Sequence, residues 1–180
     1  AEALLQARQD IAGCLGCTAR EIYFTSGGSE ADNQALRSAA YAGARSGKKH
    51  LISTAIEHHA ILHTLKQLEE EGFSVTLLPV SETGMVTPEA VQAAIRPDTC
   101  LVSVMFANNE IGTIEPLQRS EQSAVKRVCC STPMPCRRWD MCRSICRNCR
   151  WTCSLCPPIN SMVPKAWVCC TPNGGHRCTA

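Results

Sequence analysis

The hydrophobic positions along the first two thirds of the chain alternate between helical and strand spacing. Apolar residues at helical spacing predict a first helix over residues 2–12, ended by Gly13 and Gly16. Short apolar runs predict four strands, and the stretches between them have helical spacing. The strands are at 22–24, 50–54, 73–78 and 99–106, and the further helices are at 31–44, 60–71 and 87–95. This order, α, β, α, β, α, β, α, β, predicts an α/β fold with right-handed crossovers.

A glycine turn lies between the first predicted strand and the second helix. The stretch from Thr25 to Asn33 reads T-S-G-G-S-E-A-D-N. Glycines let the backbone approach a ligand closely, and the free amides at a helix N-terminus attract anions. The turn therefore indicates a phosphate site at Gly28 and Ser29. Ser29 followed by Asp32 is also typical of a capping box, which needs no ligand.

Polar clusters follow three of the predicted strands. They are Gly28-Ser29, then Glu57-His58-His59, then Asn108-Asn109-Glu110. In open α/β sheets, ligands bind beyond the carboxyl ends of the strands, so the three clusters are expected to converge. Together they would supply an anion cradle, an imidazole and an amide. Separately, the histidines could be a surface helix start and the asparagines an ordinary turn.

Charge and composition exclude some classes of function. The 180 residues carry a net charge of +2, which indicates no nucleic-acid partner. No apolar run reaches the roughly 18 residues of a membrane span. The first residues do not resemble a signal peptide, so we expect a cytoplasmic protein. The chain also begins without Met, and we expect a fragment or a processed product. Cys14 and Cys17 form a C-x-x-C, which could be a redox pair or two half-buried thiols.

The composition changes abruptly after Gln118. Of the 14 cysteines, 11 lie beyond residue 118, among many Arg, Pro and Trp residues with weak periodicity. We therefore separate a cofactor-type domain over 1–118 from an irregular, poorly ordered tail over 119–180. Cysteine spacing in the tail would suit a zinc or iron–sulfur module. The cysteines with that spacing are Cys142, Cys146, Cys149, Cys153 and Cys156.

The motifs T-S-G-G-S-E-A-D-N, E-H-H-A-I-L and L-V-S-V-M-F-A-N-N-E-I-G-T-I-E-P-L resemble those of cysteine desulfurases. These are class V aminotransferase-like enzymes of fold-type I that use pyridoxal 5'-phosphate (PLP). The resemblance runs from about residue 2 to Gln118 and implies part of the large domain of that fold. It implies an enzyme that takes sulfur from L-cysteine as a persulfide and releases L-alanine. The sulfur would serve iron–sulfur clusters or thiolated nucleotides.

The resemblance also implies roles for individual residues. Gly28 and Ser29 match the turn that binds the cofactor phosphate, where the family often has Thr in place of Ser29. His58 matches the histidine that stacks on the pyridine ring and takes part in proton transfer. Asn109 matches the asparagine that bonds the ring hydroxyl oxygen. Relatives are homodimers that pass sulfur to acceptor proteins, although dimerisation is doubtful for this fragment.

The segments that should carry the Schiff-base lysine, the acid at the pyridine nitrogen and the persulfide cysteine are absent. A shifted reading frame would explain this. Codons can be chosen for residues 128–136, together with Arg137 as AGG, that encode V-L-F-H-T-D-A-V-Q when read two bases in. Codons for residues 154–166 likewise encode S-L-S-A-H-K-F-N-G-P-K-G from the third base. Both peptides resemble the missing segments, in order and in one frame.

A frameshift near codon 119 would leave the tail without a selected role. We then expect an inactive, aggregation-prone product that binds PLP weakly, and Lys165 would not be the Schiff-base lysine. Two other hypotheses remain: a genuine Cys-rich metal-binding module fused to a cofactor-domain remnant, and a selenocysteine lyase-like enzyme. Zinc analysis would test the first, and activity on the two amino acids would test the second.

Overall fold

A computed structural model describes residues 2–15, 18–105, 108, 110–115, 126–130, 151–155 and 167–170, and only the backbone of the last three ranges. The described residues contain a short 3₁₀-helix (Ala19–Glu21) and four α-helices, α1 (Glu2–Leu15), α2 (Gly28–Ala44), α3 (His59–Glu70) and α4 (Pro88–Ala94). The strands of the amino-terminal part are β1 (Ile22–Thr25), β2 (His50–Thr54), β3 (Ser74–Leu78) and β4 (Thr99–Ser103). Three further strands come from the tail: β5 (Lys126–Cys130), β6 (Trp151–Leu155) and β7 (Trp167–Cys170).

All seven strands form one sheet in the order β1-β7-β6-β5-β4-β2-β3. Strands β2 to β6 run parallel to one another, whereas β7 is antiparallel to both β6 and β1. Because β7 is antiparallel to both of its neighbours, β1 runs in the same direction as β2 to β6. The carboxyl ends of β1, β2 and β4 therefore lie at the same edge of the sheet, as the sequence predicts.

The core has two halves, one on each face of the sheet. Successive residues of a strand point to opposite faces. Accordingly, Leu51 and Leu101 pack with α2 and α3, whereas Ile52 and Val102 pack with α4. The result is helices on both faces of a largely parallel sheet, the α/β architecture expected from the element order.

A close contact joins α2 to the sheet at Gly43. A Cβ atom at this position would lie 2.3 Å from Cys100 Cβ and 2.9 Å from Cys100 Sγ. Real Cβ atoms do not approach so closely, so only glycine lets the end of α2 pack against the start of β4.

His50 is a buried polar residue at the start of β2. Its Nδ1 atom lies 2.7 Å from Thr99 Oγ1 and its Nε2 atom lies 2.9 Å from Thr76 Oγ1. Because both ring nitrogens have partners, the imidazole ties β2 to its two neighbours, β4 and β3. Burial lowers the pKa of His50, and the positive charge of Arg96 acts in the same direction.

Most predicted elements are confirmed, and the differences lie at their ends. β2 has the predicted bounds, and α4 begins after Thr87, whose Oγ1 accepts a hydrogen bond from the Ala90 amide at 3.2 Å. Helix α1 continues through Gly13 to Leu15, so Gly13 does not end it as predicted. Helix α2 begins at Gly28, three residues before the predicted start. Among the described residues, no helix is long and apolar enough to span a membrane.

The described part of the tail contributes backbone to the sheet in three short ranges. β5 and β6 continue the parallel set beyond β4, and β7 closes onto β1. The rest of the segment over 119–180 lies outside the described residues. The boundary at Gln118 and the expected poor order of the tail therefore stay predictions.

Candidate functional site

The glycine turn after β1 places a helix N-terminus at the edge of the sheet. Gly27 precedes α2, and Gly28 and Ser29 are its first two residues. The first backbone hydrogen bond at this end joins the Ala31 amide to the Gly27 carbonyl at 3.1 Å. The preceding amides of a helix have no carbonyl one turn back, so they point outward as donors for an anion. Gly28 and Ser29 thus form the free N-terminal end of α2, and their role in binding a phosphate stays a prediction.

The capping-box interpretation of Ser29 and Asp32 is wrong. The acid that closes this turn is Glu30, whose Oε2 atom accepts hydrogen bonds from the Ser26 amide and the Ser26 hydroxyl, both at 2.6 Å. These bonds hold the pKa of Glu30 below its ordinary value, and the bond from the Ser26 hydroxyl has the larger effect. Asp32 is instead buried, one turn into the helix. Because the Ser26 hydroxyl is already engaged, Ser29 is the hydroxyl of the turn that stays available to an anion.

His58 is the N-terminal cap of α3. Its Nδ1 atom accepts a hydrogen bond from the Ala60 amide at 3.1 Å. An accepting Nδ1 carries no proton, so the neutral ring holds its proton on Nε2. The side chain is exposed at the end of β2, with its ring 6.2 Å from that of His59. The ring is thus anchored at one nitrogen and open at the other, which suits stacking and proton transfer.

Asn108 shapes the turn that follows β4. Its Oδ1 atom accepts hydrogen bonds from the amides of Glu110, at 2.8 Å, and Ile111, at 3.2 Å. Its Nδ2 group donates to the Ile56 carbonyl at 3.3 Å. This side chain is therefore occupied by protein groups, and the turn interpretation holds for Asn108. Asn109, the predicted partner of the cofactor ring, lies outside the described residues.

Glu57 connects the ends of β2 and β4. Its Oε1 atom accepts hydrogen bonds from the Met105 amide at 2.6 Å and from Thr54 Oγ1 at 3.3 Å. Burial raises the pKa of Glu57 to about 8, and the nearby acids Asp32 and Glu115 add to the shift. The sequence places Glu57 in a polar cluster but assigns it no role. Its one sequence signal is an acid three residues after the predicted strand at 50–54.

A second connection joins α2 to α3. Asn33 donates from Nδ2 to the Ser29 carbonyl at 2.7 Å, and its Oδ1 lies 2.6 Å from Thr64 Oγ1. The Thr64 hydroxyl is also 2.7 Å from the Ala60 carbonyl, in the first turn of α3. The anion-binding turn and the helix capped by His58 are therefore linked through one asparagine.

The described part of the site is thus an anion cradle, an anchored imidazole and a buried acid at one sheet edge. Among the described residues, no group of three or more His, Cys, Asp or Glu side chains could hold a metal ion. Cys14 is exposed, and its C-x-x-C partner Cys17 lies outside the described residues, as do the tail cysteine side chains. The redox-pair and tail-metal hypotheses therefore stay untested.

The class of protein follows from comparison with known families. The family described as Aminotransferase class-V matches residues 1–131, so the chain belongs to that family. Proteins of this family depend on PLP. The cradle at Gly28 and Ser29 and the open imidazole of His58 fit the phosphate and the ring of this cofactor. When bound, PLP acts as an electron sink for bonds around the substrate's α-carbon.

Curated relatives narrow the comparison to one kind of enzyme. The chain is 59% identical over 112 residues to "Cysteine desulfurase IscS" of Clostridium botulinum (strain Kyoto / Type A2), covering 62% of this chain and 28% of the relative. It is 55% identical over 112 residues to "Cysteine desulfurase IscS" of Methanosarcina thermophila, again covering 62% of this chain and 28% of the relative. The chain thus spans less than a third of the length of these relatives.

Solved structures show the same fold. DndA from Streptomyces lividans superposes with a TM-score of 0.78 at 28% identity, over 94% of this chain and 48% of that one. A structure described as SspA in complex with cysteine gives a TM-score of 0.73 at 30% identity, over 96% of this chain and 50% of that one. The predicted family and fold class are therefore confirmed.

Proposed function

We propose that this chain is the cofactor-binding part of a PLP-dependent cysteine desulfurase. In the reaction, the C–S bond of L-cysteine breaks and sulfur joins an enzyme thiol as a persulfide. The former β-carbon gains a hydrogen and L-alanine leaves. The observation that carries the proposal is the link between the two helix starts: Asn33 bonds the Ser29 carbonyl and also the Thr64 hydroxyl, which belongs to the helix that His58 caps. The names of the curated relatives support the same reaction.

The described residues divide the work between binding and proton handling. Amides at Gly28 and Ser29, with the Ser29 hydroxyl, would bind the cofactor phosphate. His58 would stack on the pyridine ring and offer a proton at Nε2, since its Nδ1 is occupied by the Ala60 amide. Asn109, which lies outside the described residues, would bond the ring hydroxyl oxygen, as the resemblance implies. In the whole enzyme we expect a cytoplasmic homodimer that passes sulfur to acceptor proteins.

Cofactor binding tests this assignment directly. We expect the full chain to bind PLP weakly, with induced circular dichroism in the cofactor band and competition by inorganic phosphate. His58→Asn should lower the dichroism per bound cofactor several-fold, because the ring loses its stacking partner. His63→Asn, an exposed histidine one turn further along α3, is the matched control and should leave it unchanged. If inorganic phosphate does not displace bound PLP, the proposed role of Gly28 and Ser29 is contradicted.

We also infer that the residues after Gln118 are read out of frame. Two observations support this. Identity to the two curated relatives covers 62% of the chain, whereas structural similarity covers 94% or more. The two alternate-frame peptides also start at residues 128 and 154, within β5 and β6. As written, the chain would then lack the Schiff-base lysine and would release no sulfide from L-cysteine.

Sequencing the coding DNA across codons 115–165 tests the frame. The inference requires that the DNA for residues 128–136 encodes V-L-F-H-T-D-A-V-Q in the shifted frame. It also requires that the DNA for residues 154–166 encodes S-L-S-A-H-K-F-N-G-P-K-G in the same frame. We expect both, together with a single missing base near codon 119. Codons that encode neither peptide would overturn the inference and favour a genuine Cys-rich module, which stoichiometric zinc in the purified chain would then reveal.

A further inference from the structure

Glu57 is a deeply buried ionisable group of the site, and its two carboxyl oxygens differ. Its side chain is 5% exposed. Oε1 has two donors, the Met105 amide and the Thr54 hydroxyl. Oε2 is buried and finds no hydrogen-bond partner among the described residues. One oxygen therefore accepts from the sheet, and the other is the natural place for a proton.

The surroundings of Glu57 favour the neutral carboxyl group. The carboxylate would lie in an apolar interior, and the acids that face it are Asp32 on α2 and Glu115 beyond β4. Their negative charges act in the same direction as burial. A neutral carboxyl group still accepts the two hydrogen bonds at Oε1, so its contact with Met105 does not need a charge.

The bond between Met105 and Glu57 holds the backbone that leads to His58. The Met105 amide holds Glu57 to the end of β4 at 2.6 Å. One residue earlier, the Ile56 carbonyl accepts from Asn108, which also follows β4. One residue later, His58 caps α3. Two successive residues before His58 are thus bonded to one neighbouring strand end, and His58 itself is bonded to the helix.

We propose that Glu57 is a positioning residue for the cofactor site, and that its carboxyl group fixes the segment carrying His58 against the end of β4. Without the bond to Met105, residues 55–58 would keep only the Asn108 contact on that side. The His58 ring would then sample several orientations, and stacking would weaken. The purpose of this positioning rests on the proposed function, but the positioning itself can be measured without cofactor.

Three variants separate positioning from simple stability. Glu57→Gln keeps an acceptor oxygen for Met105 and cannot ionise. Glu57→Met keeps the length of the side chain and cannot accept the bond. Glu70→Gln, an exposed acid on α3, is the matched control. We expect Glu57→Gln to keep the positioning of His58 and Glu57→Met to lose it.

The first measurement uses the full chain without cofactor. Imidazole nitrogen resonances of His58 report the hydrogen bond at Nδ1, and His58→Asn assigns them. In Glu57→Met we expect the Nδ1 resonance to move towards that of an unbonded ring, with Glu57→Gln and Glu70→Gln unchanged. An unmoved resonance in a folded Glu57→Met chain would overturn the proposal. If that variant does not fold, exchange of the Met105 amide in the wild type decides, because an unprotected amide excludes the bond.

The second measurement adds PLP and distinguishes the two proposals. Induced dichroism per bound cofactor should fall about fivefold in Glu57→Met and stay within about twofold in Glu57→Gln, since only a fixed ring gives a strong signal. A variant that merely lowers stability would keep the signal per bound cofactor. A wild-type chain that binds no PLP would refute the proposed function, while the resonances of His58 would still decide the role of Glu57.

Discussion

At the scale of single residues, Glu57 makes the stability of this protein depend on pH. The folded chain holds the pKa of Glu57 at about 8, above the ordinary value of 4.5. Below about pH 4.5 the group is protonated in both states and costs nothing. Between these values the folded state keeps a proton that the unfolded state has lost, so stability falls as pH rises, and it levels off above the folded pKa.

We therefore expect Glu57→Gln to be stabilised relative to the wild type by an amount that grows with pH. Each unit of pKa shift corresponds to about 1.4 kcal/mol, so the difference should reach several kcal/mol at pH 9 and vanish near pH 4. Denaturant unfolding at a series of pH values measures it. Glu70→Gln, which changes an exposed acid, should show no such trend. A pH-independent difference between Glu57→Gln and the wild type would show that Glu57 ionises normally.

His50 acts on the opposite side of the pH range. Its folded pKa is lowered, mainly by burial, so the folded state resists protonation. The cost therefore appears as pH falls, when the unfolded chain would take up the proton. Titration of His50 thus limits stability on the acid side, whereas Glu57 limits it on the alkaline side.

At the scale of secondary-structure elements, the packing of α2 on β4 depends on Gly43, although glycine is unfavourable within a helix. Gly43→Ala should gain up to about 1 kcal/mol of helix propensity. The new Cβ would, however, lie 2.3 Å from Cys100 Cβ, and both atoms are fixed by backbone. Overpacking of this kind typically costs about 1–3 kcal/mol, so we expect net destabilisation.

The chain offers a matched control in Gly13, a helical glycine of α1. A Cβ at Gly13 meets no atom within 4 Å, so Gly13→Ala should express the propensity gain and stabilise the protein. Urea unfolding of the two variants compares them directly. Equal effects of the same sign would contradict the packing argument.

At the scale of the whole molecule, the site depends on strands supplied by the tail. β1 leads into the anion-binding turn, and its one sheet partner among the described strands is β7. β5 lies between β4 and β6, where both faces of a parallel sheet are normally covered and apolar. Yet β5 begins with Lys126 and Arg127. The sequence of β5, K-R-V-C-C, therefore departs from the apolar run that is typical of a central parallel strand.

We expect replacement of residues 119–180 by the alternate-frame sequence to stabilise the protein. Apolar strands at the β5 and β6 positions would complete the sheet and lower its tendency to aggregate. Thermal unfolding and sedimentation of the two chains measure this, and the replaced chain should melt higher and sediment as a single species. A lower melting temperature after replacement would argue that the present tail is a folded part of the protein.

Sequence patterns determined the local features of this protein. The stretch H-L-I-S-T at 50–54 predicted β2 with its observed bounds, and Thr87-Pro88 predicted the capped start of α4, because both depend on neighbouring residues only. The alternation of elements predicted the α/β fold, and the motifs indicated the family. The same local signals misplaced the start of α2, since a glycine pair suggested a loop where Gly28 already begins the helix.

Only the tertiary structure decided which polar residues act on one another. Glu57 is 48 residues from Met105 along the chain, and Asn33 is 31 residues from Thr64. No local pattern could reveal that Asn108 is bound to Ile56 or that the pKa of Glu57 is raised. Burial and hydrogen bonding depend on which strands become neighbours, and β1 reaches its place beside β7 only when the sheet is assembled. The sequence therefore determined the parts of the site, and the packing of the sheet determined how those parts are held.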